Sequence, residues 1–114
     1  MDGVSTPDPA LVARFDGEMV DIYRRTGEAF DYWPNYFLRM VRNEGGVAAA
    51  RKLLADRKVS EGFLRLVKAR RMDLSVEYFV LKPRYATLFT AEERKIARGR
   101  LATYGFDFER YRLA

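Results

Sequence analysis

Six cations carry the plainest chemical signal in this sequence: Arg65, Lys68 and Arg71 in one stretch, and Arg94, Lys95 and Arg98 in another. At helical spacing, Arg65 and Lys68 face away from Phe63 and Val67. Lys95 and Arg98 likewise face away from Ile96 and Ala97, with Arg94 at the edge. Gathered on one surface, the six would neutralise phosphates and bind nucleic acid without reading its sequence. Such binding weakens as salt rises. The plainer reading is a solvated helix face with local pairing, such as Glu61 with Arg65, and it carries more weight because isolated basic faces are common. A second group is aromatic. Residues 30–36 read FDYWPNY, and Tyr32, Trp33 and Tyr36 are candidates for contact with a protein partner. Beside Arg39 and Arg42, the same rings could stack on single-stranded bases. Core burial is the usual fate of such rings, so exposure is expected chiefly at Trp33 and Tyr32.

Acid–base chemistry has little to work with. The chain has no His and no Cys, which excludes Ser-His-Asp and Cys-His arrangements, imidazole ligands and thiolate metal sites. Glu92 and Glu93 are adjacent, so they diverge by about 100° around a helix and suit capping instead. Glu77 lies in an apolar stretch and needs a partner, for which Arg70 or Arg71 is the natural choice. No spacing of paired carboxylates, metal ligands or phosphate-cradling glycines occurs. The expectation is no catalytic residue, no metal and no cofactor. The protein is read as not being an enzyme.

The elements that must position these groups follow from the caps and apolar stripes. Of 114 residues, 48% are hydrophobic and 32% charged, and the formal charge is +5. Such a chain can bury about two-thirds of its unfolded surface. Residues 1–31 hold seven acids and three arginines, whereas residues 32–114 hold nine acids and eighteen bases. A basic body with an acidic start fits an anionic partner, or pairing of the first helix with the rest. Residues 1–7 read as a flexible tail, and 8–114 as a single helical domain. Asp8 caps a first helix with Pro9 at its opening position. Its stripe is Leu11, Val12, Phe15, Met19, Ile22 and Tyr23, with Asp21 and Arg25 able to pair outside and Gly27 a stop. Pro34 starts a second helix, and Glu44-Gly45-Gly46 ends it. Residues 47–55 make a short Ala-rich helix. Ser60 caps the next, with Phe63, Leu64 and Val67 inward and Leu66 at the edge.

Asp73 is expected to cap residues 74–81, LSVEYFVL. Periodicity alone does not separate helix from strand here, and the lack of a partner strand favours a buried central helix. Thr90 with Glu93 is a capping box, with Phe89 as its staple. The last helix carries Ile96, Ala97, Leu101 and Tyr104, and Gly105 fits just past its end. The tail FDFERYRLA is expected to dock. A helix-turn-helix over 60–81 has permissible spacing, but LSVEYFVL lacks the Arg, Lys, Asn or Gln that a reading helix needs. These readings give an all-α, compact bundle of five to six short helices with no sheet. No apolar run reaches the length of a membrane span and no signal peptide opens the chain, so the expected setting is cytoplasmic, without membrane contact.

Three stretches resemble a widespread family of uncharacterised bacterial proteins: GGVAAARKLL (45–54), GFLRLVKARRMDLSVEYFVL (62–81) and LFTAEERKIARGRL (88–101). The likeness covers roughly residues 36–104. It implies a bacterial helical module, alone or joined to other domains, and no site residue carries over from it. Where that family often has glycine, this chain has Arg70. The combined expectation is a non-catalytic helical module that binds a protein partner, in a bacterial complex that handles nucleic acid. The alternative is direct, sequence-independent nucleic-acid binding through the six cations.

Overall fold

The computed structural model describes residues 7–113, and the expectations for residues 1–6 and 114 lie outside it. Six α-helices are present among the described residues: α1 (Pro9–Phe30), α2 (Asn35–Glu44), α3 (Gly46–Ala55), α4 (Glu61–Lys68), α5 (Val76–Leu81) and α6 (Ala91–Thr103). Two 3-10 turns, Met72–Leu74 and Pro83–Leu88, bracket α5. There is no strand among the described residues. The fold is all-α, as the patterning required. Its radius of gyration, 13.7 Å, matches the ~13 Å of a compact chain this long. No helix among the described residues is long and apolar enough to cross a membrane.

Local chemistry explains most starts. Asp8 accepts the Ala10 N–H at 2.9 Å, Ser60 accepts the Phe63 N–H at 3.0 Å, and Thr90 and Glu93 close a reciprocal capping box. Each satisfies N–H groups that a helix end leaves unpaired. Gly105 and Phe106 end α6 by donating back to Ala102 and Leu101. That paired reversal turns the tail onto the core, where Phe106 is buried and Phe108 and Tyr111 are half-buried.

Several expectations need correction. α1 does not stop at Gly27; it runs through to Phe30, with Asp31 in the left-handed region at φ +56°. Its 22 residues also make it a long helix, not a short one. Arg24, not Arg25, pairs with Asp21, and it holds Glu28 as well. In α4 the inward residues are Phe63 and Leu66, while Leu64 is exposed and Val67 half-buried. Ser75, not Asp73, caps α5: its Oγ accepts the Tyr78 N–H while its hydroxyl donates to the Met72 carbonyl. Asp73 sits in the preceding turn, held by Arg71.

α5 is the centre of the bundle. All six of its residues are buried, packed among α3, α6 and both 3-10 turns. A helix enclosed in this way cannot enter a DNA groove, which disposes of a helix-turn-helix over 60–81. α1 lies across α2 and α3. It meets α3 closely because Gly46 has no Cβ: Asp16 accepts the Gly46 N–H there, where an added Cβ would stand 2.7 Å from the carboxylate. Asp16 therefore supplies the acid that the N-terminus of α3 favours.

Candidate functional site

The corner between α1 and α2 gathers the aromatic loop. Asp31 reverses the chain, and Pro34 stands at the cap position directly before α2. The Trp33 ring lies flat against α1 at Gly27, so closely that a Cβ there would meet ring carbons at 2.1 to 2.3 Å. Glycine is required at that position by the indole, not by a helix end. The indole N–H donates to Asp31 at 3.2 Å, and the ring packs 5.4 Å from Tyr23. The Tyr23 hydroxyl in turn donates to Asn35 at 2.7 Å. Trp33 is held against Gly27 and Tyr23 yet remains 42% exposed, and Tyr36 is 74% exposed. Tyr32, expected in the open, is only half-buried beneath Arg65, whose guanidinium lies 4.8 Å from its ring centroid.

These rings form the wall of a cleft of about 430 Å³ between the α1–α2 corner and α4. Tyr32, Trp33 and Tyr36 all line it, over a floor that includes Met40, Leu53, Phe63, Leu66 and Val76. Five residues lining this region carry hydroxyls (Thr26, Tyr32, Tyr36, Ser60 and Ser75), and two of these hydroxyls donate to the backbone. Thr26 donates to the Ile22 carbonyl at 2.8 Å and Ser75 to the Met72 carbonyl at 2.6 Å. The chemistry on offer is mainly apolar and aromatic, with the Tyr32 and Tyr36 hydroxyls as polar points on its wall. A concave, mostly apolar surface of this size suits an organic ligand or the side chains of a partner.

Glu77, itself buried, is among the residues that line the cleft. Its partner is neither Arg70 nor Arg71 but Arg100, at 3.1 Å. The same guanidinium donates to the carbonyls of Leu53, Leu54 and Asp56. Arg100 thus caps the C-terminus of α3 and neutralises the acid of α5 at once. Burial pushes the Glu77 carboxyl above the usual range, and a backbone hydrogen bond and then Arg100 draw it only part of the way back. A carboxylate fixed in this way is structural. A second buried polar contact joins α1 to the 3-10 turn after α5, where the Tyr85 hydroxyl donates to Glu18. Burial and then that bond push the Tyr85 hydroxyl up to about 12. Among the described residues, no three acids come together to hold a metal ion.

The six expected cations have separate attachments. Arg65 pairs with Glu61 at 3.7 Å besides covering Tyr32, which puts it on the cleft rim. Arg71 closes a two-pronged bond on Asp73 at 2.9 and 3.1 Å. Arg98 lies over the Phe108 ring at 5.1 Å. Arg94 is half-buried, with its Nε enclosed and unpartnered. Lys68 and Lys95 are exposed. No ion pair, hydrogen bond or ring contact shared by two of the six occurs among the described residues. The three expected aromatics, in contrast, do converge. Arg100 and the cleft floor escaped sequence reasoning, since their partners lie more than 20 residues away along the chain. No family model, no curated protein and no solved structure matches this chain.

Proposed function

We propose that this protein is a non-catalytic binding module whose cleft receives apolar side chains of a partner protein. One observation carries the reading: Tyr32, Trp33 and Tyr36 converge on a single concave surface with an apolar floor. Rigid, partly exposed aromatics around a pocket are what energetic hot spots of interfaces are made of. The indole is already locked against Gly27, so little ordering entropy remains to be lost when a partner docks. The mainly apolar floor favours apolar anchors, with the Tyr32 and Tyr36 hydroxyls able to bond the partner's backbone at the rim. Arg65 and Arg71 already face Glu61 and Asp73, which weighs against the six cations acting together as a phosphate surface. The net positive charge suits a setting in a complex that handles nucleic acid.

The test is selection of displayed peptides on the wild-type protein, followed by titration of the selected peptides, fluorescently labelled, by anisotropy, with Trp33 emission read in the proteins that retain it. Micromolar binding that shifts the emission, resists salt and falls at least tenfold in Trp33→Ala and Tyr36→Ala supports the reading. Peptides that bind both variants as well as wild type, or no enrichment at all, refute it.

A further inference from the structure

Five large apolar side chains stay exposed among the described residues, and four of them fall at two places. Trp33 and Tyr36 belong to the cleft. Leu64 and Tyr104, at 44% and 38% exposure, line a separate groove of about 610 Å³ that shares no residue with the cleft. The last helix, α6, brings Ile96, Gly99 and Thr103 to it, one stripe at spacings of three and four. The turn before α4 brings Arg57, Lys58 and Val59, and α4 brings Leu64. Arg57, Lys58, Leu64, Gly99 and Tyr104 are all exposed, so these groups share one solvent-facing hollow.

Its apolar side is rigid. The Tyr104 ring meets the buried Phe63 edge-on at 5.4 Å, so little freedom remains for it to lose on binding. Gly99 is not demanded by packing, because an added Cβ there meets nothing within 4 Å. Glycine inside a helix weakens it relative to alanine. What it leaves here is a floor that a partner's backbone can approach closely.

Its charged side is unspent. Arg100 reaches the groove, but its guanidinium is held by Glu77 and by carbonyls at the end of α3. Arg57 and Lys58 differ: among the described residues, neither side chain has an ion pair, a hydrogen bond or a ring contact. No acid lines the groove. Asp56, next to Arg57 along the chain, accepts the Lys58 backbone N–H at 3.1 Å. Glu61 pairs with Arg65 and Glu93 with Arg51. Glu92 stands one helical turn before Ile96, outside the lining.

We infer that this groove is a second docking surface, which takes an acidic amphipathic segment of a partner protein. Two apolar residues of the segment seat against Leu64 and Tyr104 over Gly99, and flanking carboxylates face Arg57 and Lys58. The complementarity is of charge and of apolar area together, which a bare polyanion such as nucleic acid does not match. The groove is also more open than the cleft, which suits a segment laid across it better than an enclosed small molecule. The surface is independent of the cleft, and either can fail without the other.

Selection of displayed random peptides on the Tyr36→Ala protein, with depletion on Gly99→Gln, tests it. The first variant disfavours cleft binders and the second removes whatever does not need the groove. Enriched sequences should carry Asp or Glu beside paired apolar residues. Labelled copies should bind wild type at micromolar concentration by anisotropy and bind Tyr36→Ala equally well. Affinity should fall at least about tenfold in Gly99→Gln and in Leu64→Ala, and about three- to tenfold in Arg57→Gln/Lys58→Gln. Gly99→Gln should melt no lower than wild type, since glutamine is the better helix former. Should it unfold, Leu64→Ala decides, because that side chain is exposed and outside the core. No enrichment overturns the inference, as do enriched peptides without acids or affinities that none of these groove variants lowers. So does displacement of the peptides by oligothymidylate of equal charge as effective as by the unlabelled peptide, which would reduce the site to charge. A wild-type dimer in sedimentation that Gly99→Gln abolishes would give the groove to a second copy of this chain instead.

Discussion

Replacing Arg70 by glycine should stabilise this protein. Arg70 takes φ +59° in the turn that leaves α4. Its N–H donates to the Val67 carbonyl at 3.1 Å, and the Arg71 N–H donates to the Leu66 carbonyl at 2.8 Å. Those two bonds define the reversal, and they force the residue between them into the left-handed region. There a Cβ crowds the following carbonyl oxygen, at about 1–2 kcal/mol. Glycine removes that cost and adds about 0.5–1 kcal/mol of unfolded-chain entropy. The expected net gain is about 0.5–1 kcal/mol, or roughly 4 °C in melting temperature for a chain of this size. Arg70→Ala is the control. It removes the same charge beside Lys68 and Arg71 but keeps the Cβ, so the difference between the two variants isolates the backbone. Urea unfolding read by Trp33, the single tryptophan of the chain, measures both. A glycine variant no more stable than the alanine variant would refute the reasoning.

Gly27→Ala should drive the indole off α1, since the new Cβ would stand 2.1 Å from the ring. The expectation is a loss of about 1–3 kcal/mol and red-shifted Trp33 emission; an unchanged spectrum and melting temperature would contradict it. Arg100→Met should cost about 3–5 kcal/mol because it leaves Glu77 buried and alone, whereas Glu77→Gln should cost far less. Because burial raises the Glu77 value in the folded state, its contribution is fullest below the ordinary carboxyl value of 4.5 and is lost as pH rises through the raised one. Glu77→Gln should flatten that part of the stability profile, and urea melts across pH would show whether it does. Tyr85→Phe removes a bond to a carboxylate, with a cost of about 1.5–3 kcal/mol near neutrality. In the wild type the Tyr85 contribution is present below the ordinary value of 10.0 and is lost as pH rises toward about 12. A phenylalanine variant with the same alkaline decline would count against that bond.

The parts of the fold that sequence reveals are those whose causes lie within one helical turn. Asp8, Ser60 and the Thr90–Glu93 box each act on an N–H two or three residues away. The stripe of α1 is legible for the same reason. The start of α5 is misread because Asp73 and Ser75 are equally good caps. Packing of Met72 and Leu74 into a 3-10 turn decides between them. Gly27 has the right residue type for a helix end, but its cause, the Trp33 ring, arrives from the next loop. The cleft is half legible. Its wall is one run of aromatics, whereas its floor comes from α2, α3, α4 and α5. Periodicity identifies a buried face without saying what lies opposite. Arg100 with Glu77, and Asp16 with Gly46, are invisible on the same ground.

The buried acid of α5 also has a consequence before folding is complete. Within residues 74–81, LSVEYFVL, Glu77 is the single charge. Without it the stretch combines high β-propensity, high hydrophobicity and no net charge, the makings of a segment that stacks with copies of itself. Until α6 delivers Arg100, the carboxylate stays hydrated and holds such strands apart. Its desolvation in the finished bundle is the counterpart of that protection. An apolar residue in its place would leave Arg100 without its counter-ion and the nascent chain prone to aggregate.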